Sequence, residues 1–334
     1  MYHLDPHKPM KILFLTESRE DYLADSLIHG LVSLGHLVVD YPKKSQLYSH
    51  PPVTDESSFS VRGGGFTLYR LLGERQVDRQ NIIQKLQHDF FDIVIFGQVW
   101  RQWGQLLDLA PFIQSCPVVL LDGDDDDRIF YLSGTCIRRY GFHRFPLKSN
   151  RAFYFKRELI LKPISTLYPF TILPISFSIP SEKIIPLPKC RKTKTFAQHC
   201  VDPEVANHYG LSASYAFSDE NTYYTDLSRS KYSITTKRGG WDCLRHYEIA
   251  AAGSLICFKE LTTKAHSCAP HLLKPGHNCL SYSNLKDLAL QINKLEERPD
   301  EYQMLLSNSH NWILNHTTVT IAQRMLDILL ARTC

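Results

Sequence analysis

The stretch from Lys231 to Glu260, KYSITTKRGGWDCLRHYEIAAAGSLICFKE, constrains the fold more than any other part of the chain. Lys231 to Thr236 is rich in β-branched and aromatic residues and reads as a strand. Leu244 to Ala252 has helical spacing with small residues on one side, and Ser254 to Phe258 is a short apolar run that reads as a buried strand. Strand, helix and strand in so short a span form a βαβ unit, which demands a parallel sheet with the helix packed on its face. Gly253, between helix and second strand, reads as the helix C-cap.

The loop inside this unit carries the chemistry. Lys237, Arg238, Gly239 and Gly240 stand between the first strand and the helix. Glycines let a ligand approach the backbone, and the cations precede a helix N-terminus, where unpaired N–H groups favour an anion. The expected ligand is a diphosphate, with Arg245 as a further contact. Glu248, about one turn into the helix, is placed to accept hydrogen bonds from the ribose hydroxyls of the same nucleotide. The competing reading makes Glu248 a surface helix residue, and Arg245 and His246 divide evenly between the two.

The run RHYEIAAAG and the apolar strand after it resemble the donor-binding segment of GT-B glycosyltransferases of the group 1 type. The resemblance continues through HLLKPGHNCLSYSNLKDLALQINKL and Asn315-His316-Thr317, covering roughly the last third of the chain. The family's commonest form carries an earlier Glu, and that region is here the basic loop Arg238 to Trp241. The resemblance implies an α/β architecture of two Rossmann-like domains facing across a cleft. It places a nucleoside diphosphate sugar in the second domain and a hydroxyl acceptor in the first. It also implies a reaction with no resident cofactor and no metal, since GT-B enzymes generally dispense with the metal-binding Asp motif of the GT-A fold. The alternative of another class is a catalytically inactive nucleotide- or carbohydrate-binding regulatory protein of the same fold.

A length of 334 residues suits two domains. The expected division is 1–175 for the acceptor domain, 176–315 for the donor domain and 316–334 for a C-terminal helix that, in the resembling family, packs back toward the first domain. Lys11 to Thr16, Tyr22 to Leu34 and Leu37 to Tyr41 read as strand, helix and strand. The intervening turn, Glu17 to Asp21, holds no glycine and so lacks the dinucleotide fingerprint of a classical NAD enzyme. Val77 to His88 reads as a helix, Phe91 to Gly97 and Val118 to Leu121 as strands, and the proline-rich segment from Pro163 to Pro180 as the crossover between domains. In the second domain Thr193 to Gln198 reads as a strand, with Val205 to Tyr209 and Asn221 to Ser230 as helices. Gly63, Gly64 and Gly65 end a long loop and read equally as an active-site loop or a flexible turn.

Asp122, Asp124, Asp125, Asp126 and Asp127 crowd the end of an apolar strand, where open α/β sheets place their ligands. Three readings compete. One is a general base, since neighbouring carboxylates raise one another's pKa; another is a divalent metal site. The third is the N-cap and acidic first turn of a helix from Ile129 onward. Asp122 is the favoured functional carboxylate, with Asp124 the second catalytic candidate; most of the others are read as solvated, and no metal is expected.

Net charge is +4, and the 43% hydrophobic, 22% charged composition is that of a globular chain whose basicity is too diffuse to imply nucleic acid. Nine cysteines without a CxxC pair suggest neither zinc nor a disulfide framework. With no signal-peptide core and no apolar stretch of spanning length, a cytoplasmic location is expected. Arg151 to Lys162 interleaves cations with aromatics, a pattern compatible with peripheral membrane contact, a phosphate, the second domain, or snorkelling over a core.

Overall fold

The computed structural model describes residues 8–49, 66–160, 168–214 and 216–333. Their contacts divide into two units: one runs to Ser176 and resumes at Thr318, and the other spans Phe177–Thr317 and takes in Thr67.

The first unit is built on a parallel sheet of six strands in the order β2-β1-β3-β4-β5-β6. These are β1 (Lys11–Leu15), β2 (Leu37–Tyr41), β3 (Ile93–Phe96), β4 (Val118–Asp122), β5 (Ala152–Lys156) and β6 (Thr171–Pro174). Its helices are α1 (Tyr22–Ser33), α2 (Ile82–Gln87), α3 (Val99–Leu109), α4 (Gly134–Tyr140) and, from the end of the chain, α10 (Thr318–Thr333). Central strands covered on both faces need near-continuous apolar runs, and β3 and β4 are buried at every position. Gly30 is the close approach that lets α10 lie on α1, since a Cβ there would stand 2.1 Å from the Thr318 carbonyl oxygen.

Several boundaries differ from the sequence reading for identifiable reasons. The helix expected over Val77 to His88 begins only at Ile82, because Asn81 is left-handed (φ 53°) and Arg79 is drawn aside to pair with buried Asp40. The helix expected from Ile129 begins at Gly134, capped by Ser133, whose side chain accepts from Cys136 N; the aspartates are therefore not its cap. Within the segment read as interleaving cations with aromatics, Ala152–Lys156 form β5, buried at all five positions, and residues 161 and 162 lie outside the described residues. The proline-rich crossover contains β6, and its place at the sheet edge is what tolerates Pro174.

The second unit carries a parallel sheet of four strands in the order β10-β9-β8-β7. They are β7 (Lys194–Phe196), β8 (Ser230–Thr235), β9 (Leu255–Lys259) and β10 (Leu280–Tyr282). The helices are α5 (Pro203–Tyr209), α6 (Glu220–Arg229), α7 (Leu244–Ala251), α8 (Leu285–Glu296) and α9 (Pro299–Leu314). The expected strand, helix, strand unit is β8-α7-β9. Gly253 ends α7 for two reasons: its φ is +69°, and a Cβ would stand 2.7 Å from Cys190 Sγ. All eight residues of α7 are buried, partly because α9 covers it, with the Tyr247 and Trp312 rings 5.1 Å apart. No helix among the described residues is long and apolar enough to cross a membrane. None of the eight described cysteines is disulfide-bonded.

Candidate functional site

In the second unit, the candidate donor residues gather beyond the carboxyl end of β8. Lys237, Arg238 and Gly239 are exposed, whereas Gly240 is buried, and Arg238 N donates to the Gly240 carbonyl at 3.0 Å. The loop is pinned from below by His246, whose ring nitrogens meet Thr235 Oγ1 and the Trp241 carbonyl, each at 2.9 Å. That accounts for His246 as a positioning residue. Asp242 is fixed in the same way, accepting from Tyr247 OH at 2.7 Å and from Phe177 N at 2.8 Å. Lys237 Nζ lies 5.1 Å from the centre of the Trp241 ring, a cation–π contact that keeps the ammonium over the loop. At the start of α7 the Cys243 carbonyl accepts from His246 N at 3.0 Å, and the N-cap thiol, a weak acceptor beside the Arg245 amide, makes no regular side-chain capping hydrogen bond, so the first amides are held less firmly than Ser or Asp would hold them.

Arg245 points along the ends of two strands, donating from Nε to the Ile234 carbonyl and from Nη2 to the His199 carbonyl. His199, just past β7, was not singled out from the sequence, and a lone His after a short strand offers no periodic signal. Burial, helped by the Arg245 and Arg238 cations, pushes its pKa down to about 4, so the imidazole is neutral. Beside it, Asp202 caps α5 and accepts from Lys259 Nζ and Tyr282 OH, each at 2.9 Å, tying together the ends of β9 and β10.

Glu248 is 8% exposed, which removes the surface-residue reading. Its carboxylate accepts from Thr67 Oγ1 at 2.6 Å and from Tyr223 OH at 2.7 Å. Thr67 is in turn held by Glu220, which accepts from its amide at 2.7 Å and from Lys183 Nζ at the same distance. Burial lifts the Glu248 carboxyl above the usual range, opposed by the hydroxyls of Thr67 and Tyr223 and by the Arg245 charge. An ionised carboxylate has about four acceptor sites; these two hydroxyls orient it and leave capacity for more donors. Thr67 and Tyr223 lie far from Glu248 in sequence, and no motif marks them.

In the first unit the strand order reverses between β1 and β3, which is where doubly wound sheets hold ligands. Gly97 permits the approach there, since a Cβ would stand 2.9 Å from the Leu15 carbonyl. Asp21, Gln98 and Arg101 meet at this point: Asp21 Oδ2 accepts from Arg101 Nη2 at 3.0 Å and from Gln98 Nε2 at 3.2 Å. These three also went unmarked in the sequence reading, although a glycine closing an apolar strand was a signal for Gln98.

The aspartate run lies beside them. Asp122 is fully buried. Its Oδ1 accepts from Trp100 Nε1 and Asp124 N, each at 3.1 Å, and its Oδ2 from Tyr154 OH and from Lys156 Nζ at 2.9 Å. Burial pushes its carboxyl up while Lys156, Tyr154 and Trp100 hold it down. The general-base expectation at Asp122 therefore meets a physical obstacle, since an enclosed carboxylate with four donors has no route to an acceptor hydroxyl. The rest of the run is its own scaffold: Asp122, Asp124 and Asp126 each accept the amide two residues on, and Asp125 pairs with buried Arg157. Among the described residues Asp124 Oδ2 has no hydrogen-bond partner. No group of three or more His, Cys, Asp or Glu among the described residues is placed to hold a metal ion. Gly63, Gly64 and Gly65 lie outside the described residues.

No protein-family model matches the chain, and comparison with curated proteins finds no match. Solved structures do match. A glycosyltransferase from Rickettsia africae superposes with a TM-score of 0.57 at 11% identity, covering 98% of this chain and 99% of that one. Anabaena Alr3699/HepE in complex with UDP and glucose gives 0.52 at 12% identity, covering 96% and 100%. Sucrose-phosphate synthase from Thermosynechococcus elongatus gives 0.51 at 10% identity, covering 95% and 98%. The chain shares with these proteins the GT-B fold, a pair of Rossmann-like units.

Proposed function

We propose that this protein is a glycosyltransferase that moves a sugar from a nucleoside diphosphate sugar to a hydroxyl acceptor. The observation that carries the reading is the loop of residues 236–243, which sets two exposed cations before a weakly capped helix end, with the oriented carboxylate of Glu248 one turn further on. Phosphates at the loop and a ribose at Glu248 fit the spacing of one nucleotide. Arg238, Lys237, Arg245 and the helix end neutralise the charge that develops on the leaving diphosphate. Acceptor deprotonation belongs to the aspartate turn of the first unit, with Asp124 as the base and Asp122 as the anchor that fixes it. The full-length likeness to HepE, whose structure holds UDP and glucose, supports UDP as the first nucleotide to test.

The decisive experiment is thermal shift of the full chain with UDP, GDP, ADP and TDP. One of them at a hundred times its Kd should add about 2.7 kcal/mol to stability, a rise of several degrees in Tm; no shift with any would overturn the reading. Loss of a hydrogen bond to a charged group costs about 1.5–3 kcal/mol, so Glu248→Ala should weaken that nucleotide about ten- to a hundredfold. Cationic side chains in place of a metal further predict that transfer survives a chelator. Collapse in EDTA and recovery with manganese would assign the charge neutralisation to a metal instead.

A further inference from the structure

Residues 128–157 contain no Asp or Glu. Some of their cations are accounted for: Lys156 and Arg157 are buried, Arg128 pairs with Asp126 and Arg151 donates to the Gln114 carbonyl. Arg138, Arg139, Arg144 and Lys148 are exposed, and among the described residues none of their side chains has a hydrogen-bond or ion-pair partner. Arg138 and Arg139 end α4, where cations complement the helix dipole. That account does not reach Arg144 or Lys148. Nor does it explain Phe142, which stands 82% exposed immediately after Gly141, whose φ of +71° ends the helix. Beside this group an open depression of about 700 Å³ is lined by Tyr131, Arg144, Phe145, Leu147, Lys148 and Pro169.

The four cations all lie within six positions of Phe142, so positive charge without acidic neighbours and an exposed aromatic ring share one short segment. The charge asks for a dense, diffuse array of anions, and the ring asks for an apolar layer just behind it. We infer that the surface formed by Arg138, Arg139, Phe142, Arg144 and Lys148 docks the protein on an anionic lipid bilayer, the ring entering the headgroup boundary and the depression receiving a phosphorylated headgroup. Single-stranded nucleic acid supplies anions too, but its binding uses aromatic side chains in series to stack successive bases, and Phe142 is the one aromatic in this stretch that stands more than half exposed. Ala152–Lys156, within the segment whose pattern was compatible with membrane contact, is the buried strand β5; the docking surface is formed by the residues before it.

The test is sedimentation of the full chain with vesicles of phosphatidylcholine alone and of phosphatidylcholine mixed with phosphatidylglycerol. The protein should pellet with the mixed vesicles only and be released as salt rises from about 0.1 to about 0.5 M. Each cation near such a surface is worth about fivefold in partitioning, so Arg138→Gln/Arg139→Gln should lower the partition coefficient about 25-fold. Phe142→Ser should lower it about tenfold. All these positions are exposed, so the variants should melt with the wild type. Equal binding to both vesicle types, no binding at low salt, binding unchanged in the variants, or displacement from vesicles by an oligonucleotide at comparable phosphate concentration would each overturn the inference. Nucleotide binding is read separately, so failure here leaves the proposed transfer standing.

Discussion

Replacing Lys156 with methionine is expected to lower the unfolding free energy of the first unit by about 3–5 kcal/mol. Both partners of the Lys156–Asp122 pair are fully buried and stand 2.9 Å apart, so removing the cation strands a carboxylate that water cannot reach. The variant can relieve the cost by protonating Asp122, and this fixes the sign of the pH dependence. Without Lys156 the folded-state pKa of Asp122 rises further above its unfolded value, so the folded chain holds a proton that the unfolded chain releases. The stability deficit should therefore shrink as pH is lowered from about 7 toward 5. Asp122→Asn strands the ammonium instead, and its deficit should shrink toward high pH. The double variant Asp122→Asn/Lys156→Met removes both charges and should recover much of the loss. Urea unfolding of the four proteins measures the coupling; single-variant losses under about 1 kcal/mol would mean that the pair does not hold the turn.

The βαβ unit of the second sheet was legible because each of its signals is local. β-branched and aromatic residues give β8, an apolar run gives β9, Gly253 gives the turn, and the cations and glycines between strand and helix give the loop. The burial of Glu248 was not legible, because it depends on Thr67, 181 positions away, and on α9 packing over α7. The aspartate run misled for the same reason. Read locally, five acidic residues before a hydrophobic pair look like a helix N-terminus. In the fold they meet Lys156 and Arg157, more than thirty positions on: Lys156 holds Asp122 inside, while Asp125 pairs with Arg157 from the surface. Alternation of cations with aromatics in β5 was equally ambiguous, since a parallel strand covered on both faces has no solvent side to which alternation could point. Helices α3 and α9 escaped notice although Gln98 and Pro299 stand at their starts, because Gln is a weak capping signal and a proline after Arg298 reads as readily as a turn.

The aspartate turn supplies the other large effect. For transfer with inversion at the anomeric carbon, a base must take the acceptor proton, and removing such a group costs about 10² to 10⁴ in rate. The structure separates the two candidates by access. Asp122 is enclosed by Trp100, Tyr154, Lys156 and the Asp124 amide, whereas Asp124 is partly exposed and gives one carboxylate oxygen to Asp126 N. Asp124→Asn should therefore lower kcat by about 10²- to 10⁴-fold while Tm and the nucleotide Kd stay near wild type, because the amide oxygen still accepts from Asp126 N. Asp122→Asn should lose stability first, and its activity should recover at temperatures well below its reduced Tm. Glu248→Ala should leave the pH profile of transfer unchanged and act through donor affinity. The discriminating measurement is kcat against pH for all three variants once an acceptor is in hand. An Asp124→Asn enzyme with full kcat would remove Asp124 as the base, and intact stability together with lost kcat in Asp122→Asn would return that role to Asp122.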